Sequence, residues 1–297
     1  NLLFSFQYPA HEQQIVTALR ETGFFVSASS EILPEFREYE RASTTAINAY
    51  VTPILNRYIG NLESALRETS TDFRIMQSNG GSIRASQART EAVRSILSGP
   101  AGGVVGALYT AQAAGFNNVI TFDMGGTSTD VSLSEGEIQV TTEAEVGGLP
   151  LRIPVVDIHT VGAGGGSIAH IDAGGALRVG PQSAGADPGP VCYDRGGCEP
   201  TVTDANVALG RLAPEHFLDG NMKLDVGAAT DAMEKLSGHA GLIPSPGLTH
   251  AQTAALGVIE VANAHMQRAL RVISVERGFD PRDFTLGSFG GAGGLHA

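Results

Sequence analysis

The chain's 297 residues are enough for one large domain or two ordinary ones, and 42% hydrophobic against 17% charged residues is the composition of a folded chain rather than a disordered one. A formal net charge of -12, with no block of five or more Lys and Arg, argues against a nucleic-acid partner, because phosphate backbones are bound by clustered cations. No apolar run reaches the roughly 18 residues of a membrane-spanning helix, so no membrane partner is expected.

Residues 1–6 carry neither the basic flank nor the cleavage site of a signal peptide and read as a buried strand entered midway, so the chain is expected to be cut from a longer polypeptide. A helix is predicted over 11–22, a short strand over Phe24–Ser27, and a long helix from Thr44 to Leu66. Its stripe comprises Ile47, Tyr50, Val51, Ile54, Leu55, Tyr58 and Ile59, with Pro53 inside as a point of kink or break. Phe73–Gln77 reads as a strand closed by the turn Asn79-Gly-Gly81, and Ser98 opens a helix running to Ala114. Val119–Asp123 and Asp130–Ser134 are strands joined by a glycine turn, and strand material follows over Ile153–Ile158. Residues 162–200, rich in Gly, Pro and Ala, read as hairpins and ordered loops. Helices are predicted over 203–212, 226–237 and 249–277, the last with Ala255, Val258, Ile259, Ala262, Met266, Ala269, Leu270 and Ile273 as its buried stripe. A final strand, Phe284–Phe289, runs into Gly290-Gly-Ala-Gly-Gly294.

Phosphate groups are held most readily by a turn whose backbone N–H groups converge and whose side chains do not obstruct. Asp123 to Asp130 offers Gly125 and Gly126, then the hydroxyls of Thr127, Ser128 and Thr129, between two apolar strands. The flanking Asp123 and Asp130 suit a hydrated Mg²⁺, which takes one or two carboxylates plus phosphate oxygens. An ordinary hairpin with a glycine turn is the alternative. Asp157 and His159, two apart, would share one face of a strand and could polarise a carbonyl, position water or share a metal, or could be a hydrogen-bonded structural pair. Gly164 and Gly165, in the loop Gly162–Ser167, could cradle substrate or phosphate. Thr203–Asn206 reads as a helix cap with polar loop contacts. His296 is ambiguous. Cys192 and Cys198 match no zinc spacing and read as plain, largely buried thiols in a reducing cytoplasm.

The segment Val119–Leu133 resembles the second phosphate loop of the actin, sugar-kinase and heat-shock-chaperone ATPase superfamily. Ser98–Ala107 is similar to its connecting helix, and Gly290–Gly294 after a strand to its adenosine loop. More narrowly, Ser98–Ala107, Asp123–Asp130, Asp157–Ser167, Gly180–Pro190, Thr201–Asn206 and Phe289–His296 all look like motifs of the hydantoinase A/5-oxoprolinase family. The resemblance implies an α/β fold of ribonuclease-H-like lobes: residues 1–117 as the remainder of a truncated first lobe, and 118–297 as a second lobe with the phosphate and adenosine loops. It implies ATP and Mg²⁺ as cofactors, with Gly290, Gly291 and Gly293 at the adenosine. Asp123, Asp157 and His159 become catalytic candidates, and the carbonyl oxygen of a cyclic amide of hydantoin or 5-oxoproline type becomes the phosphorylated group. It also implies a hydantoinase B-type subunit or domain as partner, and an oligomer in the cytoplasm. An acetone-carboxylase-type subunit and a non-enzymatic ATPase switch are the alternatives. Nothing before residue 98 offers the family's first phosphate loop, so the isolated segment is expected to bind ATP weakly and to be inactive alone.

Overall fold

The computed structural model describes residues 1–67 and 73–297. In chain order the elements are α1 (Ala10–Glu21), α2 (Ser29–Ile32), α3 (Glu38–Leu66), β1 (Arg74–Met76), β2 (Ser82–Arg84), α4 (Ala85–Ala88), α5 (Ser98–Ala113), β3 (Asn118–Met124) and β4 (Thr129–Glu135). They continue with β5 (Val140–Thr141), β6 (Ala144–Val146), β7 (Leu149–Leu151), β8 (Val155–Val156), β9 (His159–Val161), β10 (Ser167–Ile171), β11 (Leu177–Ser183), α6 (Val202–Ala208), α7 (Val226–Ala240), α8 (His250–Ile273) and β12 (Thr285–Phe289). The architecture is the mixed α/β expected from the sequence. The chain divides into two compact units, residues 1–110 with 137–157, and residues 111–136 with 158–297. Residues 137–157, grouped by the sequence with 118–297, thus belong to the first unit.

In the first unit, α3 runs through Pro53 without interruption, but only part of the apolar stripe read from its sequence is buried: Ile47 and Ile59 are, and three of its members face outward. Tyr50, Ile54 and Tyr58 are 78%, 55% and 57% exposed, whereas Arg41, Thr44, Asn48 and Ile59 are fully buried. The buried face is polar because hydrogen bonds satisfy it. Arg41 donates to the carbonyls of Leu2 and Leu3 at 2.8 Å each, and Asn48 accepts from Val93 N–H at 2.9 Å and donates to Thr90 O and Ser27 Oγ. The same bonds explain residues 1–6, which form turns around the Arg41 guanidinium and not a strand, with Leu3 and Phe4 exposed. Phe24–Ser27 is likewise no strand, and Phe24 and Phe25 are exposed. Glu12 is a buried carboxylate. Burial alone would raise its pKa, but hydrogen bonds from Ser30, Ser29 and Leu2 outweigh that and hold it down to about 2.

In the second unit, a four-stranded sheet runs in the order β12-β3-β4-β9. β12 is parallel to β3; β3–β4 and β4–β9 are antiparallel. Residues 119–122 of β3 are all buried, as a strand covered on both faces must be. One face of β3–β4, with Ile120, Phe122, Met124, Val131 and Leu133, joins the core that the predicted stripe of α8 completes. Thr249 and Gln252 form a capping box that starts α8, and its many alanines let neighbouring backbones approach closely. The expected 203–212 helix stops at Ala208, because Gly210 turns at φ +69°.

Candidate functional site

The β3–β4 hairpin ends in a tight turn, closed by Gly125 N–H donating to the Ser128 carbonyl at 3.0 Å. Met124 pairs with Thr129 at its base, and one step further in Asp123 faces Asp130. Burial, and then the Asp130 charge, push the Asp123 carboxyl above the ordinary carboxylate range. Asp130 Oδ1 in turn accepts from Thr160 Oγ1 at 2.6 Å.

Two further glycine loops are bound to this turn by backbone hydrogen bonds. Gly165 N–H donates to Gly125 O at 3.0 Å, Gly166 N–H to Gly126 O at 2.6 Å, and Ala292 N–H to Met124 O at 2.9 Å. The glycines are required by closeness: a Cβ on Gly164 would lie 2.7 Å from Gly126 O, and one on Gly290, at φ +84°, would lie 2.3 Å from Asp123 Oδ1. Gly164, Gly165 and Gly293 are buried, and the Thr129 hydroxyl is committed to the Ala163 carbonyl. These positions, read from the sequence as ligand-binding, hold the loops together, although Gly165 also borders the pocket described next. Gly126, Thr127, Gly290 and Gly291 are the exposed members, and nothing lies within 4 Å of a Cβ built on Gly126 or Gly291.

A pocket of about 440 Å³ opens on this junction, lined by Gly125, Gly126, Gly165 and Gly291 together with Tyr193, Thr203, Asn206, Leu212, Phe217 and Leu295. The Tyr193 and Phe217 rings stand 5.5 Å apart and back onto a small core around Cys192 and Leu224. The sequence reading missed this aromatic wall, since Tyr193 ends a single 3-10 turn and Phe217 lies in a turn, where no periodicity shows. It is held from behind by Asp204, a buried carboxylate that accepts from the N–H groups of Val191, Cys192 and Thr201 and from Thr201 Oγ1. Thr201 and Asp204 form the capping box of α6, so the cap begins two residues before the predicted Thr203–Asn206, which lies inside the helix. Thr203 Oγ1 ties α6 to the glycine loop through Gly165 O at 2.8 Å. His296, beside the third loop, has Nδ1 2.8 Å from Asn263 Oδ1 and Nε2 3.3 Å from Asn206 Nδ2. Burial and then the Arg211 charge lower its pKa to about 4.

Two expectations are corrected. Asp157 does not share a strand face with His159: it precedes β9, belongs to the first unit, and its N–H donates to Gln139 O. His159 pairs with Val131, which pairs with Phe122, so it stands on the core face of the sheet, opposite to Asp123 and Asp130. Cys198 is exposed rather than buried; Cys192 is buried, and burial followed by the Asp204 charge raises its thiol pKa. Among the described residues no group of three or more His, Cys, Asp or Glu could hold a metal. The carboxylates available beside the turn are Asp123 and Asp130.

Residues 41–297 match the hydantoinase/oxoprolinase family, and the chain belongs to it. Over its whole length it is 43% identical to caprolactamase subunit alpha of Pseudomonas jessenii, of which it covers 42%. The solved ATP-dependent caprolactamase of that organism matches 98% of the chain with a TM-score of 0.80. Nucleotide-free acetone carboxylase, a structure concerned with ATP-dependent acetone carboxylation, matches all of the chain at a TM-score of 0.84 and 33% identity, with 42% of its own length covered. 5-Oxoprolinase 1 of Arabidopsis thaliana is 39% identical over 312 residues, which are 100% of this chain and 24% of that protein. The chain therefore spans less than half the length of these relatives.

Proposed function

We propose that the chain carries the nucleotide site of an ATP-dependent hydrolase that opens a cyclic amide by phosphorylating its carbonyl oxygen. The carrying observation is the pocket at the hairpin tip. At Gly126 and Gly291 nothing stands within 4 Å of a built Cβ, which leaves the backbone there open to phosphate oxygens, and the aromatic and leucine wall suits a flat apolar base. The strand order β12-β3-β4-β9 with α8 against it supports reading this unit as a ribonuclease-H-like lobe of the ATPase superfamily. Asp123 and Asp130, held opposite each other at the root of the turn, are mutually destabilised carboxylates that a cation relieves. They fit Mg²⁺, which would neutralise phosphate charge when bound. The γ-phosphoryl group passes from ATP to the amide oxygen and ADP leaves. One water then adds at the activated carbon and the ring C–N bond breaks, which frees the amine and leaves an acyl phosphate; a second water cleaves that to a carboxylate and phosphate. Asp123 is the candidate acidic residue here, in preference to Asp157 and His159.

The match to acetone carboxylase supports a second reading, in which the same phosphorylation serves a carboxylation. The relatives named as subunits support a B-type partner for either reading. The test is phosphate release by the full-length protein, with and without its partner, on ATP plus hydantoin, 5-oxoproline or caprolactam. Stoichiometric phosphate and ring-opened product are expected with one of them. Phosphate release that requires bicarbonate and a ketone would favour the carboxylase, and release stimulated by peptides alone would defeat both readings.

A further inference from the structure

Asn206, on α6, is 1% exposed and borders the glycine-walled pocket. Its Nδ2 donates to the Val202 carbonyl at 3.1 Å and lies 3.3 Å from His296 Nε2. A carbonyl can only accept, so the nitrogen, and not the oxygen, must face Val202. His296 Nε2 then accepts the second amide hydrogen, the ring proton sits on Nδ1, and Nδ1–H donates to Asn263 Oδ1 at 2.8 Å. Both hydrogens of the amide are committed, and half a turn would set its oxygen against the Val202 carbonyl. Oδ1 is what remains. It is the buried side-chain polar atom of this lining that has no hydrogen-bond partner among the described residues. Such an atom is costly to leave unpaired, so a ligand that supplies a donor gains over one that does not.

The position along α6 says which part of a ligand meets it. Thr203 is tied to the glycine loop, and Asn206 lies one helical turn further on, towards Leu212 of the apolar wall. We propose that Asn206 reads the base of the bound nucleotide: its Oδ1 accepts a hydrogen bond from the 6-amino group of a purine, so the pocket takes adenosine-type nucleotides and rejects those with a carbonyl at that position. Adenine offers a donor at that edge where a 6-oxopurine offers an acceptor. The inference rests on the nucleotide reading above and adds the group that selects the base. His296 and Asn263 are positioning residues, which keep the amide from turning round.

The experiment is calorimetry of the full-length protein with Mg²⁺ and, in turn, ATP, ITP, purine riboside triphosphate (no 6-substituent) and 2′-deoxyATP. ATP and 2′-deoxyATP should bind alike, and the other two roughly ten- to a hundredfold more weakly. Asn206→Leu should bring ATP to the level of ITP while leaving ITP nearly unchanged. Equal binding of ATP and ITP by the wild type, or discrimination kept by Asn206→Leu, overturns the proposal. So does weak binding of 2′-deoxyATP with ITP unaffected, which would place a ribose hydroxyl on Asn206. Binding of none of the four defeats the nucleotide reading itself, a different result. If thermal unfolding shows that Asn206→Leu does not fold, the wild-type series alone decides.

Discussion

Asp123 and Asp130 sit directly opposite each other on neighbouring strands, an arrangement that costs stability unless a cation or a proton relieves it. Replacing Asp123 by Asn removes the repulsion and keeps the shape. We expect Asp123→Asn to unfold at the same or a higher temperature while ATP-dependent turnover falls by about two orders of magnitude or more. A scanning calorimetry trace beside a phosphate-release assay checks both halves, and normal turnover would move the phosphates elsewhere. The glycines separate in a similar way. Gly290→Ala brings a methyl group against Asp123 Oδ1 and Met124 O at a positive φ, and should cost more than about 1 kcal/mol of stability. Gly126→Ala meets open space, so stability should hold within about 0.5 kcal/mol while nucleotide affinity drops, because the added methyl group stands where phosphate oxygens would approach. Denaturant titration and calorimetric binding of the two variants distinguish these effects.

Helix α3 shows what an element's pattern can conceal. Tyr50, Ile54 and Tyr58 of its apolar stripe are exposed while Ile47 and Ile59 are buried, and its buried side also depends on polar groups whose partners come from distant segments. Asn48→Ala leaves the Val93 N–H buried without its acceptor and should cost about 1–3 kcal/mol. Tyr50→Ala, at a residue 78% exposed, should stay within about 0.5 kcal/mol. Chemical denaturation of the pair would show the ranking reversed from that of the sequence stripe. At the other site, α6, α8 and the last loop meet through His296, whose pKa falls from 6.5 to about 4. A histidine with a lowered folded pKa binds its proton more readily when unfolded. Its contribution is complete above about pH 6.5 and is lost as pH falls from there towards 4. Protonated, its Nε2 cannot accept from Asn206, so nucleotide affinity of the folded protein should weaken only as pH approaches about 4. A wild-type melting series that is flat between pH 7 and 4.5, or unchanged in His296→Gln, would refute this.

For the whole molecule, no described helix is long and apolar enough to cross a membrane. The sequence by itself determined the second unit's main elements. The β3–β4 hairpin, β12 and the stripe of α8 are set by local periodicity and glycine punctuation, which need no distant partner to be read. It also determined family membership, because the glycine-rich motifs leave so few residue choices that their order is specific. Only the tertiary structure decided which glycines face open space and which let two backbones touch. Gly126 and Gly164 look alike in sequence, yet one meets open space and the other lies against the backbone of the first. Only the fold separated His159 from Asp123, since a spacing of two fixes a shared face within a strand but not which face the neighbouring strand presents. The polar face of α3 and the acceptor on Asn206 were likewise decided there, because a buried polar side chain is stabilised by its partners, and those partners lie tens of residues away along the chain.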